Sequence, residues 1–330
     1  MQKLTVGVIG TGHLGALHTK MFKQINNCVL VGIYDADPEQ AKTVASSLNV
    51  TSFSNKEFLL SKVEAVSIAA STSAHYEIAK DCLEAGLHVF IEKPITATID
   101  EGEKLVKLAA KKNLNLQVGH IERFNPGLVS LESYIDNPKF IQSDRLAQFN
   151  PRGTDVAVVL DLMIHDIDII LSLVKSDVKQ IDASGVAVVS NHLDIANARI
   201  VFENGAVANV TASRISQKKM RKMRMFQKDT YIALDFVTGV SEVYRLLPVD
   251  SETLTNSISF GEIGVGEKKK KLVYEQPEHK ELNALEYELQ LFVNSVIENK
   301  KPVVSGEDGL KALKVAQIII QKIEESKVSL

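Results

Sequence analysis

Residues 4 to 35 constrain this chain more than any other stretch. Leu4-Thr5-Val6-Gly7-Val8-Ile9 is a short apolar run, Gly10-Thr11-Gly12-His13-Leu14-Gly15 follows, and Ala16 to about Gln24 carries a helical pattern. A second apolar run, Cys28 to Tyr34, ends in Asp35. The order is strand, glycine turn, helix, strand, acid, and each part has a task if a dinucleotide is to be held. Gly10 permits the tight turn, Gly12 lets backbone approach a pyrophosphate, and Gly15 lets the helix pack close to the sheet. The unpaired N–H groups of the helix start, beside His13 and Leu14, then face the phosphate charge. Asp35 stands twenty residues past Gly15, where a carboxylate accepts ribose hydroxyls. Asp37 follows it and no Arg is near, so a 2′-phosphate would be repelled and NAD is expected rather than NADP. The bland alternative is a glycine-rich turn that binds nothing.

A chain of 330 residues is long for one core, so two domains are expected. A hydrophobic fraction of 45% with 24% charged residues is globular in character, and a net charge of −3 argues against nucleic acid or an anionic membrane as obligate partner. No apolar run approaches membrane-spanning length. The two cysteines, Cys28 and Cys82, read as buried reduced thiols, and the chain opens directly into a strand pattern rather than a signal peptide. A cytoplasmic protein is expected.

Strand and helix patterns alternate up to about Gly119. A short strand is expected at Val50–Phe53, a buried strand at Ala65–Ala70 with exit loop Ser71-Thr72-Ser73, and a strand at Leu87–Ile91 ending in Glu92-Lys93-Pro94. This reads as a doubly wound parallel sheet of Rossmann type, residues 1–120. The remainder, 121–330, reads as an α+β domain on an open, mostly antiparallel sheet. Helices are expected over Asn125–Ile135 and Val156–Val174, and hairpins at Asn204-Gly205 and Thr238-Gly239. Two amphipathic helices close the chain, and the one at 306–325 is placed to pack back on the first domain.

Two stretches carry candidate chemistry. Glu92-Lys93-Pro94 lies at the carboxyl edge of a parallel sheet, where open α/β folds bind ligands. Pro94 holds Lys93 extended, and an ammonium beside an oxidised nicotinamide would have its pKa lowered, as suits an acid/base or a hydroxyl-orienting donor. A solvated loop lysine is the alternative. The second stretch is the Val156–Leu171 helix, apolar around most of its circumference yet carrying Asp161, His165 and Asp168 at i, i+4 and i+7. Asp161 supporting His165, which moves the proton of a substrate hydroxyl, is one reading; a hydrogen-bonded core histidine is the other. No spacing supports a metal site. Lys218 to Arg224 holds five cations in seven positions, either a solvated edge or an anion site. His75, beside the exit loop, is either a nicotinamide contact or a helix-start histidine.

With these residues in place, the chain resembles the glucose-fructose oxidoreductase/inositol dehydrogenase (Gfo/Idh/MocA) family. The likeness rests on the glycine turn, the His75 helix, Glu92-Lys93-Pro94, Gly119 to Phe124, Asp161-x-x-x-His165-x-x-Asp168 and Val304 to Gly309. The resemblance implies a nicotinamide-dependent oxidoreductase that oxidises a ring hydroxyl of a sugar or nucleotide sugar. UDP-N-acetylglucosamine at C3 is favoured, and a free sugar or inositol is the alternative. It implies Lys93, Asp161 and His165 as the catalytic group, and Ser71, Thr72, His75, Glu92 and Lys93 as cofactor contacts. Arg123, Asn125, Arg152 and Arg214 join Lys93, Asp161 and His165 as substrate contacts. A homodimer or homotetramer through the open sheet face is also implied. A dinucleotide-binding sensor without turnover would keep the glycine turn and could dispense with the proton-transfer residues.

Overall fold

The protein is represented by a computed structural model that describes residues 3–327 apart from 152, 153, 155, 253–255 and 279. The glycine-turn unit forms as its pattern requires. Strands β1 (Leu4–Ile9), β2 (Cys28–Tyr34), β3 (Ala65–Ile68), β4 (His88–Glu92) and β5 (Leu116–Gly119) build one parallel sheet in the order β2-β1-β3-β4-β5. Helices α1 (His13–Phe22), α2 (Pro38–Leu48), α3 (Lys56–Leu60), α4 (Thr72–Glu84) and α5 (Ile99–Lys112) connect them. Local signals set their ends. Asp37 caps α2 through Glu39 and Gln40 N–H, and Thr98 with Glu101 forms a capping box on α5. β3 is buried along its whole length, Ser67 included, which is why it reads as a mostly apolar run.

The strand expected at Val50–Phe53 shrinks to one parallel bridge, Ile33 to Ser52. Thr51 O accepts from Ile33 N at 2.9 Å and Phe53 N donates to Ile33 O at 2.8 Å, and the ladder goes no further. Counting this remnant, the strand order is that of a Rossmann sheet, with its crevice between β1 and β3.

The second sheet has nine strands in the order β13-β14-β12-β11-β10-β6-β9-β8-β7. They are β6 (Phe140–Leu146), β7 (Val178–Val186), β8 (Ile195–Phe202), β9 (Val207–Ser213), β10 (Met220–Gln227), β11 (Thr230–Asp235), β12 (Val240–Leu247), β13 (Ser257–Ile263) and β14 (Lys270–Glu275). Only β6 and β9 pair in parallel. Both expected hairpins are present: Asn204-Gly205 joins β8 to β9, and Thr238-Gly239 joins β11 to β12.

Two helices differ from expectation. The one starting at Asn125 is only α6 (Pro126–Val129). Ser130 Oγ donates to Gly127 O at 2.8 Å and lies 3.0 Å from Ser241 Oγ, so the side chain competes for the carbonyl near which the helix stops. The Val156–Val174 segment contains a π-helical turn at Val159–Met163 before α7 (Ile164–Val174), with Ile164 N–H reaching Val159 O.

The chain ends in α8 (Ala284–Ile297) and α9 (Gly306–Lys327). It divides into two compact units. One runs to Ile121 and takes up Leu282–Lys314; the other is Glu122–Glu281 with the chain from Val315. In the first, Leu285, Leu289, Phe292 and Val293 of α8 complete the core around Val6, Val8, Phe22 and Phe90. Each fully buried side chain of this size contributes about 1.5–3 kcal/mol. In the second, α7 packs on β6 and β9. Among the described residues, no helix is long and apolar enough to cross a membrane.

Candidate active site

In the first unit the glycine turn leaves β1 at the carboxyl edge of the sheet. Gly10 has φ +87°, and a Cβ there would stand 2.7 Å from the Ala69 and Ala70 backbone. A Cβ on Gly15 would stand 1.8 Å from Gly10 O. Gly12 is the opposite: nothing lies within 4 Å of an added Cβ, and Gly12, His13 and Leu14 are all exposed. The turn is therefore sealed towards the protein and open towards a ligand, with the α1 N–H groups on the open side, which fits a dinucleotide pyrophosphate.

Asp35 is already engaged. Its Oδ2 accepts from Thr11 N at 2.5 Å and from Thr11 Oγ1 at 2.9 Å, and its Oδ1 accepts from Asp37 N at 2.9 Å. A carboxylate has about four acceptor positions, so one remains for a ribose hydroxyl rather than two. Ser71 and Thr72 open α4 at the end of β3, and Glu92 and Lys93 end β4. Since β1, β3 and β4 are neighbours, one sheet edge brings together Gly10–Gly15, Ser71, Thr72, Glu92 and Lys93.

His75 does something the sequence left open. It is 1% exposed, with Nδ1 2.9 Å from Pro94 O and Nε2 3.2 Å from Ala70 O. Burial lowers its pKa, opposed by those carbonyl contacts, so the ring is neutral at pH 7. Glu92 is also buried, and its Oε1 lies 3.0 Å from Nε2 of His18.

In the second unit Asp161 sits in the π turn and His165 in the first turn of α7. Both are half-buried, whereas Asp166 and Asp168 are 1% exposed. Asp168 is thus withdrawn from solvent where Asp161 and His165 are not. It takes a two-pronged ion pair from Arg123, Nε to Oδ2 and Nη2 to Oδ1, both 2.6 Å. Asp166 takes a second from Arg145, Nε to Oδ2 at 2.7 Å and Nη2 to Oδ1 at 3.2 Å, while Ser143 Oγ donates to its Oδ1 at 2.9 Å. Arg145 Nη1 also reaches Glu122 Oε1 at 3.0 Å. Burial alone would pull the Arg145 pKa down, but Asp166 and Glu122 more than offset it and hold it above its ordinary value. His165 therefore rides on a helix bolted on both sides.

Arg214 and Asn125 have structural partners. Asn125 caps α6 through Gly127 N–H and donates to Phe236 O at 3.1 Å. Arg214 is 3% exposed and donates to Asp194 at 2.8 Å, Val156 O at 2.8 Å and Ser190 Oγ at 3.0 Å. Burial would raise the Asp194 pKa, but bonds from Val188 and Val189 N–H, Arg214 and Ser190 win and hold it low. Arg152 lies outside the described residues. In the basic run, Arg221 pairs with Glu122 at 3.1 Å and Lys222 with Asp235 at 3.6 Å, and Lys222 and Arg224 lie on the exposed side of β10.

Sequence reading missed His18, Arg145, Glu122 and Asp166. A signal existed for Arg145: it occupies the same strand face as Ile141 and Ser143, so an alternating strand with one buried face must bury it with a partner.

Comparison with known proteins agrees with this fold. Residues 4–120 match the family profile "Oxidoreductase family, NAD-binding Rossmann fold", and residues 128–230 match "GFO/IDH/MocA C-terminal domain". The chain is 38% identical over 246 residues to UDP-N-acetylglucosamine 3-dehydrogenase of Acidithiobacillus ferrooxidans, covering 74% of this chain and 78% of the relative. A solved structure of that enzyme superposes with a TM-score of 0.87 at 32% identity, over 98% of this chain and 99% of the other. Myo-inositol 2-dehydrogenase of Thermotoga maritima is 24% identical over 343 residues, 98% of this chain and 97% of the relative.

Proposed function

This chain belongs to the Gfo/Idh/MocA family of nicotinamide-dependent oxidoreductases acting on CH–OH groups, and we propose that it oxidises a ring hydroxyl of a nucleotide sugar with NAD. UDP-N-acetylglucosamine, oxidised at C3, is the proposed substrate, on the name and 38% identity of the Acidithiobacillus relative. The observation that carries the reading is the sheet edge that gathers the open glycine turn, Ser71–Thr72 and Glu92–Lys93. Gly12 to Gly15 hold the pyrophosphate and Asp35 holds a ribose hydroxyl. The bound nicotinamide supplies the hydride acceptor. His165 takes the hydroxyl proton with Asp161 orienting it, and Lys93 donates a hydrogen bond to the oxygen as charge develops there. The test is NADH absorbance on mixing protein and NAD with UDP-N-acetylglucosamine, other UDP-sugars, free sugars and inositols. Turnover confined to inositols or free sugars would overturn the nucleotide-sugar assignment; silence with every compound would favour the sensor.

Asp35→Ala removes a charged acceptor worth about 1.5–3 kcal/mol, so NAD is expected to bind roughly 10- to 150-fold more weakly. NADP, which the carboxylate repels, is expected to lose less or gain. Calorimetric titration with both cofactors checks this, and an unaltered NAD affinity would remove Asp35 from the ribose.

We also propose self-association through the sheet face opposite α7. A row of rings crosses that face from Phe140 through Phe226, Tyr231, Tyr244 and Tyr274 to Phe260, with successive centroids 4.7–5.9 Å apart. Phe226 is 43% and Phe260 58% exposed, a patch of the kind interfaces cover. Phe226→Glu is expected to shift the sedimentation profile to a smaller species; a parent chain that sediments as a monomer would refute the proposal.

A further inference from the structure

We propose that two buried histidines, His18 and His75, are positioning residues for Lys93, one holding the residue before it and the other the residue after it. The inference rests on the reading of Lys93 as the ammonium at the reacting oxygen. A lysine at a strand end has a long rotor on a loop backbone. Loosening of about 1 Å at a reacting group costs on the order of 100-fold in rate, so such a site needs its backbone fixed.

The first anchor acts on Glu92. His18, on α1, is fully buried. Its Nδ1 lies 2.8 Å from Ser67 Oγ on β3, and its Nε2 lies 3.0 Å from Glu92 Oε1, off the axis of a straight hydrogen bond. The ring stands edge-on to Phe90, centroids 5.5 Å apart at 75°. The same oxygen meets Gly119, its register partner on β5, where a Cβ would stand 2.8 Å from Oε1. Glu92 thus places one carboxylate oxygen against both an imidazole and bare backbone. A serine, a histidine and an acid in a row resemble a nucleophile relay, but Ser67 is 0% exposed and no substrate reaches it. Placement is the task that remains.

The second anchor acts on Pro94. Its carbonyl receives the shorter contact of His75, 2.9 Å from Nδ1, and the other ring nitrogen faces Ala70 O at the exit of β3. A neutral imidazole has one N–H, and the shorter contact takes it. His75 thereby ties the turn after Lys93 to α4. Both rings are buried, and both act through Lys93.

The two anchors use different ring nitrogens, and this makes a sharp test. The amide nitrogen of Asn stands near the Nδ1 position and that of Gln near Nε2. At His75, His75→Asn is expected to preserve function and His75→Gln to lose it. At His18 the order reverses: His18→Gln preserves and His18→Asn loses. A role in filling space would favour the larger Gln at both positions. Turnover is read with NAD and UDP-N-acetylglucosamine. The losing variants are expected to drop kcat about tenfold or more, with KM and NAD affinity within about twofold; the preserving variants stay within about threefold of the parent. Hydrogen exchange at the amides of Lys93, Ile95 and Thr96 is read without substrate or cofactor, and is expected to speed up only in the losing variants. Glu92→Gln probes the first anchor from its more exposed end if a histidine variant fails to fold, and is expected to speed the same amides. Crossed rescue absent from the exchange data overturns the inference. Lys93→Met separates the two levels: full turnover in that variant overturns the reading of Lys93, while the exchange pattern still decides the anchoring.

Discussion

Replacing His165 by alanine is expected to lower kcat about 10²- to 10⁴-fold, the usual worth of a positioned general base, with NAD affinity within about twofold of the parent chain. The helix explains why the loss will be chemical rather than structural. His165 is half-buried, and its neighbours Asp166 and Asp168 carry the ion pairs that hold α7. Truncating it touches neither pair, so stability is expected to change by about 1 kcal/mol or less. Lys93→Met keeps the aliphatic stem and removes the charge, and is expected to lose about 10²- to 10³-fold in kcat. Asp35→Ala gives the opposite split, weakening NAD and sparing kcat at saturation. The sequence contains no Trp, so cofactor affinity is best taken by calorimetry. Turnover within about threefold of the parent in either His165→Ala or Lys93→Met would take that residue out of the proposed chemistry.

What was legible in the sequence was what is decided locally. The glycine turn could be read because its constraint is internal: Gly15 abuts the carbonyl of Gly10, five residues back. The hairpins at Asn204-Gly205 and Thr238-Gly239 could be read because each connection is short and carries a glycine at positive φ. What was hidden depends on which strands become neighbours. Helical spacing placed Asp161, His165 and Asp168 on one face, but it could not show that Asp168 meets Arg123, forty-five residues earlier, and is withdrawn from solvent. His75 reads from sequence as a helix-start residue near the cofactor loop. Its burial follows only once β3 and β4 are adjacent and Pro94 O comes within reach. The π turn at Val159–Met163 has no composition that distinguishes it from ordinary helix.

Arg145→Met is expected to destabilise the second unit by about 3–5 kcal/mol, the largest stability loss anticipated for a single polar substitution in this chain. Methionine fills much of the arginine volume, so packing is spared and the cost is electrostatic. Arg145 and Asp166 side chains are each 2% exposed. Without the guanidinium, Asp166 keeps the Ser143 hydroxyl as its remaining described side-chain bond, and Glu122 keeps Arg221, whose side chain is 34% exposed. An exposed pair offers the contrast. Lys42 and Glu39, 66% and 81% exposed, form an ion pair of which at most about 1 kcal/mol is expected, so Lys42→Met will be close to silent. Asp166→Asn in the Arg145→Met background is expected to recover part of the deficit by removing the buried charge, which identifies the cause as electrostatic. Chemical denaturation of the parent and both variants measures this. A deficit below about 1 kcal/mol, or one that Asp166→Asn leaves unchanged, would show that Asp166 is not held as a buried carboxylate by Arg145.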